Sequence, residues 1–281
     1  MRIGQIKWQN ATTAAIFEDG FARPIPDYTV YDLIRRSEME QTALPKVANR
    51  LASTHREDAV PMIPLSPKEV WGCGCTYQSS ASFRDSEHGT REGFYAHVYQ
   101  APRPEIFFKG TSRFCVGPDK TIGIRSDSKF TAPEPELAVI LGSSGHVMGY
   151  TLANDVSAWD IERENPLYLP QSKMYTACCA LGPVIVTADE IADPYNLQMT
   201  CTITRGEQTV FSGSVSTSQL NRRIEQLTEY LLRANPVPGG SVLLTGTGII
   251  VTEQAALVAG DVVKISIPEI GELSNVAGVV Q

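Results

Sequence analysis

The sequence predicts an α+β, β-rich fold, a mixed β-roll or sandwich preceded by a small α/β unit, and three observations carry that reading. From Lys68 onward the chain runs as short apolar stretches separated by glycine and proline, not as a regular alternation of strand and helix. One amphipathic helix stands out at Ser218 to Ala234, where Leu220, Ile224, Leu227 and Leu231 recur among charges. The stretch Pro61-Met62-Ile63-Pro64-Leu65-Ser66-Pro67 reads as a rigid linker, and it places a boundary between residues 1–65 and 66–281.

In chain order, Arg2 to Gln9 and Thr13 to Glu18 have the pattern of a hairpin with Asn10 near its turn. Val30, Leu33, Ile34, Leu44, Val47 and Leu51 follow at helical spacing, broken by Pro45. Beyond the linker, strands are expected at Val70 to Tyr77, Glu105 to Lys109, Thr121 to Ile124, Pro135 to Leu141 and Met148 to Asp155. Further strands are expected at Leu181 to Thr187, Leu197 to Arg205, Val242 to Thr245 and Asp261 to Ile267.

A formal net charge of -7 and a pI near 5.2 argue against a nucleic-acid or anionic-membrane partner. The N-terminal residues carry no apolar leader, and nowhere do 18 apolar residues run consecutively. A cytoplasmic protein with reduced, mostly buried thiols is therefore expected, because the six cysteines match neither a disulfide scaffold nor paired zinc spacing.

The chemistry centres on Thr131 to Asp155, which sets Glu134, Glu136 and Asp155 into apolar strand sequence. Glu134 and Glu136 are two apart and share one face of a strand; Asp155 ends the next apolar run and joins them if the two segments pair. Three buried carboxylates cannot all stay ionised without a cation. An all-oxygen set favours Mg²⁺, Mn²⁺ or Ca²⁺ over zinc. The alternative reading, that the two glutamates form the solvent face of an amphipathic strand, stays open on the pattern alone.

Lys109 and Lys173 lie in otherwise apolar or irregular surroundings and either snorkel to solvent or, near a divalent ion, lose a proton readily enough to act as a base. Thr245-Gly246-Thr247-Gly248 lets backbone N–H groups approach an anion. In Tyr77 to Glu87, Arg84 and Glu87 share a helical face and read as an exposed ion pair. No phosphate loop, dinucleotide fingerprint or G-x-S-x-G elbow is present.

The order of four motifs, E-P-E-L-A-V-I-L-G, G-Y-T-L-A-N-D-V-S, the lysine segment before A-L-G-P-V-I-V-T, and L-T-G-T-G, resembles the fumarylacetoacetate hydrolase superfamily from about Val70 to the C-terminus. The resemblance implies the C-terminal fold of that superfamily and a Mg²⁺ site at Glu134, Glu136 and Asp155. It sets Lys173 and Lys109 toward the substrate and Thr247 at its carboxylate end. Two departures select a branch. Ser80 and Phe83 stand where carbon-carbon hydrolases carry the histidine and glutamate that activate water, and the glycine loop reads T-G-T-G-I-I-V. With Glu164 to Lys173, these look like the 2-keto-3-deoxy-pentonate dehydratase branch, which forms 2,5-dioxopentanoate. That likeness implies Lys173 as base, Glu87 with Arg84 at the leaving hydroxyl, and Tyr77, Ser80 and Gln171 among the substrate contacts. It also implies a small 2-keto acid partner and a homodimer or homotetramer. An acylpyruvate-type hydrolase and a catalytically silent acid-binding protein are the alternatives.

Overall fold

Gln9 and Asn10 both take positive φ, 46° and 64°, a pair of left-handed residues that reverses the chain in two residues and suits the twist of a hairpin. They join β1 (Arg2–Trp8) to β2 (Ala11–Glu18), and β3 (Phe21–Ile25) adds beyond β2. In this computed structural model, residues 1–87 and 93–281 are described, except for the side chain of Glu87.

The periodic stretch after the hairpin forms two helices. Thr29 caps α1 (Val30–Met39) by accepting from the Asp32 N–H while Asp32 accepts from the Thr29 N–H, satisfying donors that the helix start leaves free. A turn then leads into α2 (Leu44–Leu51), with Pro45 in the first turn, where its missing N–H costs nothing.

The elements beyond residue 65 follow as β4 (Val70–Gly74), α3 (Gln78–Glu87), α4 (Phe94–Gln100), β5 (Glu105–Gly110), β6 (Cys115–Val116), β7 (Thr121–Arg125) and β8 (Thr131–Ala132). Next come β9 (Pro135–Leu141), β10 (Val147–Asp155), β11 (Ser157–Ala158), α5 (Trp159–Glu164), α6 (Leu169–Lys173), β12 (Cys179–Thr187) and β13 (Gln198–Arg205). The chain closes with β14 (Gln208–Ser216), α7 (Ile224–Leu232), β15 (Ser241–Leu244), β16 (Val262–Ile267) and β17 (Gly271–Val280).

Two large sheets result. One runs β3-β2-β1-β12-β10-β9-β15-β4-β5, with β6 paired to β12, and the other runs β14-β13-β16-β17-β7. The N-terminal hairpin continues the larger sheet through Arg2↔Val186 and Ile3↔Ile185. Every residue of β9 is buried because its two faces meet different layers. Leu137, Val139 and Leu141 pack toward Met199, Cys201, Val263 and Ile265 of the second sheet. Ala138 and Ile140 turn instead toward Leu33, Ile34 and Val47 of the two N-terminal helices. Among the described residues no helix is long and apolar enough to cross a membrane.

Three local expectations shift. The strand expected to Tyr77 stops at Gly74, because Cys75 takes φ 50° and turns the chain into α3. The helix expected from Ser218 begins at Ile224, after a 3₁₀ turn at Thr217–Gln219. β14 and β17 escape the pattern because both carry exposed or polar residues on an outer face, and hydrogen bonding to β13 and β16 makes them strands.

Leu137 is fully buried between the sheets, next to Glu136. Leu137→Ala should lower unfolding free energy by about 2–5 kcal/mol in denaturant titrations, whereas Val279→Ala, at a position 60% exposed, should change it by less than about 0.5 kcal/mol.

Candidate active site

The register of β9 against β10 assembles the centre. Ala153 pairs with Glu136 and Asn154 with Pro135, and the Asp155 N–H donates to the Glu134 carbonyl at 2.9 Å. Asn154 Oδ1 accepts from the Glu134 N–H at 3.1 Å, pinning the residue just before β9. Antiparallel pairing thus puts the end of β10 beside the start of β9. Carboxylate oxygens of Glu134, Glu136 and Asp155 consequently lie within 4.8 Å of one another, all three residues being buried.

Two lysines reach the cluster from different elements. Lys173, ending α6, donates to Glu134 Oε2 and Asp155 Oδ2 at 2.9 Å each and to Ser157 Oγ at 2.7 Å. Lys109, near the end of β5, lies 2.5 Å from Asp155 Oδ1 and donates to the Val156 carbonyl at 3.0 Å. Trp159 Nε1 donates to Glu134 Oε1 at 2.9 Å. Glu136 receives only a backbone donor in this cluster, the Gly246 N–H at 2.5 Å. Gly246 has φ +92°, and a Cβ there would stand 2.0 Å from Thr76 Oγ1, so the approach requires glycine.

These contacts split the carboxylates electrically. Burial pushes the Glu136 carboxyl well above its ordinary value, and the charges of Asp155 and Glu134 push it further. Burial also raises Asp155, but Lys109 and Lys173 outweigh it and hold that group below the ordinary range. Burial lowers Lys173, yet Asp155 and Glu134 more than compensate, so the lysine stays protonated. The protein's own carboxylates stabilise the ammonium, and the proton loss expected of this lysine belongs to a site beside a divalent ion. The residues fit a divalent ion, since three inward oxygens converge and Glu136 has no side-chain cation of its own.

The exposed setting expected for Arg84 is corrected: the residue is 3% exposed. Helix α3 turns it inward, where Nη2 lies 3.8 Å from Glu134 Oε1 and 3.7 Å from Glu162 Oε1, and Nη1 lies 4.0 Å from Glu105 Oε2. Its guanidinium also stands over the Trp159 ring at 5.3 Å. The Glu87 side chain lies outside the described residues.

Tyr77 is buried, its hydroxyl has no hydrogen-bond partner, and burial followed by the Glu136 charge raises its pKa. Ser80 is buried on α3. Thr247 is buried with its hydroxyl on the backbone of Ile249. Gln171 is not brought to the cluster: α6 buries Ser172 and Lys173 and leaves Gln171 exposed, its carbonyl accepting from Arg125.

Sequence reasoning missed Glu105, Ser157, Trp159 and Glu162. Glu105 had a signal, since Glu105, Phe107 and Lys109 alternate onto one strand face, and the Lys173 Nζ stands 5.4 Å from the Phe107 ring centre. Burial raises the Glu105 carboxyl, with Arg84 opposing, and its Oε2 has no hydrogen-bond partner. A cavity of about 410 Å³ opens beside Glu105 and Glu162, walled by Tyr95, His97, Arg103 and Leu169.

Residues 70–277 match the family model described as fumarylacetoacetate (FAA) hydrolase C-terminal. The chain belongs to this fumarylacetoacetate hydrolase family. It is 50% identical over 213 residues, 75% of this chain and 72% of the relative, to the 2-dehydro-3-deoxy-D-arabinonate dehydratase of Saccharolobus solfataricus. It is 40% identical over 255 residues, 88% of this chain and 87% of the relative, to a protein of Haloferax volcanii named as a probable 2-keto-3-deoxyxylonate dehydratase. Its fold is similar to that of a solved 2-keto-3-deoxy-D-arabinonate dehydratase complexed with magnesium and 2,5-dioxopentanoate, with a TM-score of 0.87, 38% identity and full coverage of both chains. The fold and the β-rich α+β architecture of the fumarylacetoacetate hydrolase type thus agree with the motifs.

Because the folded Glu136 pKa lies above its ordinary 4.5, ionising this group costs stability as pH rises from 4.5 toward the folded value. In chelator, Glu136→Gln should therefore melt above the parent protein, and the gap should widen over that pH interval. Added Mg²⁺ should raise the parent's melting temperature, by an amount corresponding to about 2.7 kcal/mol at a hundredfold excess over Kd, and leave the variant's unchanged. Thermal melts across pH with and without Mg²⁺ check both outcomes.

Proposed function

We propose that this protein is a Mg²⁺-dependent hydro-lyase that converts a 2-keto-3-deoxy-pentonate into 2,5-dioxopentanoate. The observation that carries the reading is the buried Glu134, Glu136 and Asp155 cluster with Lys173 against it, in a chain whose relatives are named as dehydratases of this substrate class. The environment of α3 supports a lyase over a hydrolase. Ser80 and Phe83 supply no acid–base pair, and Phe83 packs on Trp159 with ring centres 5.2 Å apart.

Glu134, Glu136 and Asp155 would hold the ion. A divalent cation held there would supply Lewis acidity toward a 2-keto acid and would compete with Lys173 for the charge of Glu134 and Asp155. Lys173, having released its ammonium proton to solvent on metal loading, would take a proton from C3 at Nζ. Glu105, whose carboxyl burial raises above the ordinary range, gives a proton to the C4 hydroxyl, which leaves as water. Arg84 stabilises the carboxylate that Glu105 becomes. Lys109 holds Asp155 in place and acts as a positioning residue, and Ser157 orients Lys173. Tyr77, Ser80 and Thr247 form the wall for the acid end of the substrate. Glu105 takes the role that sequence reasoning assigned to Glu87.

On the same reading the enzyme is cytoplasmic, in keeping with its six free thiols, and assembles as a homodimer or homotetramer, with exposed Val60, Leu167 and Val279 as apolar surface for a subunit contact. Mn²⁺ or Ca²⁺ would substitute for Mg²⁺.

Incubation with Mg²⁺ and a panel of 2-keto-3-deoxy-pentonates should yield 2,5-dioxopentanoate, read by mass spectrometry. Consumption of an acylpyruvate instead would establish the hydrolase, and turnover of neither would leave a silent acid-binding protein. Glu105→Gln should lower kcat by about 10²-fold or more with little change in KM; an unchanged kcat removes Glu105 from the chemistry.

A further inference from the structure

The dehydratase reading leaves one step without a residue. Removal of a C3 proton and the C4 hydroxyl from a 2-keto-3-deoxy-pentonate produces 5-hydroxy-2-oxopent-3-enoate, which carries a C3–C4 double bond and still has an alcohol at C5. To become 2,5-dioxopentanoate it must lose a proton from C5 and gain one at C3. The C5–H electron pair becomes the C4–C5 double bond as the C3–C4 pair takes a proton at C3 from the Lys173 ammonium formed in the first step. The resulting enol becomes the aldehyde when C4 gains a proton and the C5 hydroxyl loses one. A second base is therefore required at the end of the substrate remote from its keto acid.

Glu162 has the placement and the unused valence for it. Its side chain is 3% exposed, and its Oε2 has no hydrogen-bond partner. Its Oε1 lies 3.7 Å from Arg84 Nη2, the same nitrogen that lies 3.8 Å from Glu134 Oε1. One guanidinium nitrogen thus stands between Glu162 and Glu134, whose carboxylate oxygens lie no more than about 7.5 Å apart, against the roughly 5 Å covered by the four carbon-carbon bonds of a five-carbon acid. Glu162 also borders, together with Glu105, the cavity of about 410 Å³. A counter-ion for Arg84 needs only one of these oxygens, and leaving the other buried without a partner carries a desolvation cost. Contact with a substrate offsets that cost.

We propose that Glu162 is the base that takes the C5 proton, so that the unsaturated keto acid is carried on to 2,5-dioxopentanoate within the same site. The two carboxyls on either side of Arg84 then divide the reaction. Glu105 gives up one proton when water leaves, Glu162 collects one from C5, and exchange through the cavity that both border returns each to its starting state.

The test follows product identity as well as rate. With Mg²⁺ and a 2-keto-3-deoxy-pentonate, Glu162→Gln should accumulate 5-hydroxy-2-oxopent-3-enoate as substrate is consumed, seen by its conjugated-ketone absorbance and by NMR. Formation of 2,5-dioxopentanoate, followed with an aldehyde dehydrogenase, should slow by about 10²-fold or more. The parent enzyme should also convert synthetic 5-hydroxy-2-oxopent-3-enoate supplied directly, and the variant should not. Glu162→Asp keeps the charge beside Arg84 and should retain a slowed second step, which serves if the glutamine variant does not fold. Formation of 2,5-dioxopentanoate in step with substrate loss in Glu162→Gln overturns the proposal, as does equal loss of both steps in a variant that melts like the parent. A parent enzyme that consumes no 2-keto-3-deoxy-pentonate defeats the dehydratase reading instead.

Discussion

The structure depends on the antiparallel register that holds the end of β10 against the start of β9. That register puts Asp155 beside Glu134 and Glu136 in a place water does not reach. Burying a charge is expensive, and burying several of one sign is tolerable only when cations or donors answer them. Lys109 and Lys173 answer Asp155, and Lys173 with Trp159 answers Glu134. Glu136 has a backbone N–H and no side-chain cation there. The imbalance sits on one carboxylate, where the three could accommodate a dication.

The surrounding fold explains why this arrangement persists. β9 is enclosed on both faces, by the second sheet on one side and by α1 and α2 on the other, so slipping its register by one residue would exchange the whole content of two cores. Lys109 arrives on a strand of the same sheet, Lys173 on a short helix, and Gly246 on the turn after β15. Each group comes from a different element, so the geometry is set by packing between elements and not by any one of them. Arg84 then extends the charge network from the metal-candidate cluster to Glu105 and Glu162, where the cavity opens.

Much of this was legible in the chain. Glu134, Glu136, Asp155 and Lys173 stand out because charged residues interrupt apolar runs, and strand periodicity tells which of them share a face. The hairpin, the break before Pro45 and the nine strands expected beyond the linker follow from local patterns, although the first of those strands ends at Gly74 and not at Tyr77. β14 and β17 did not follow, because exposed strands need no apolar alternation and owe their form to a neighbouring strand. Arg84 was misplaced for a related reason: a basic residue in a polar helix resembles a solvated one until its partners, which lie 21, 50 and 78 positions along the chain at Glu105, Glu134 and Glu162, are brought around it.

The sequence by itself determined the β-rich class, the order of the motifs and which three carboxylates are metal candidates, since each of these is written in short-range spacing. Only the tertiary structure decided which cation meets which carboxylate. It drew Lys109 onto Asp155, left Glu136 to a glycine N–H, moved Gln171 to the surface and turned Arg84 inward. Coulomb energies depend on separation and burial, and neither is encoded locally.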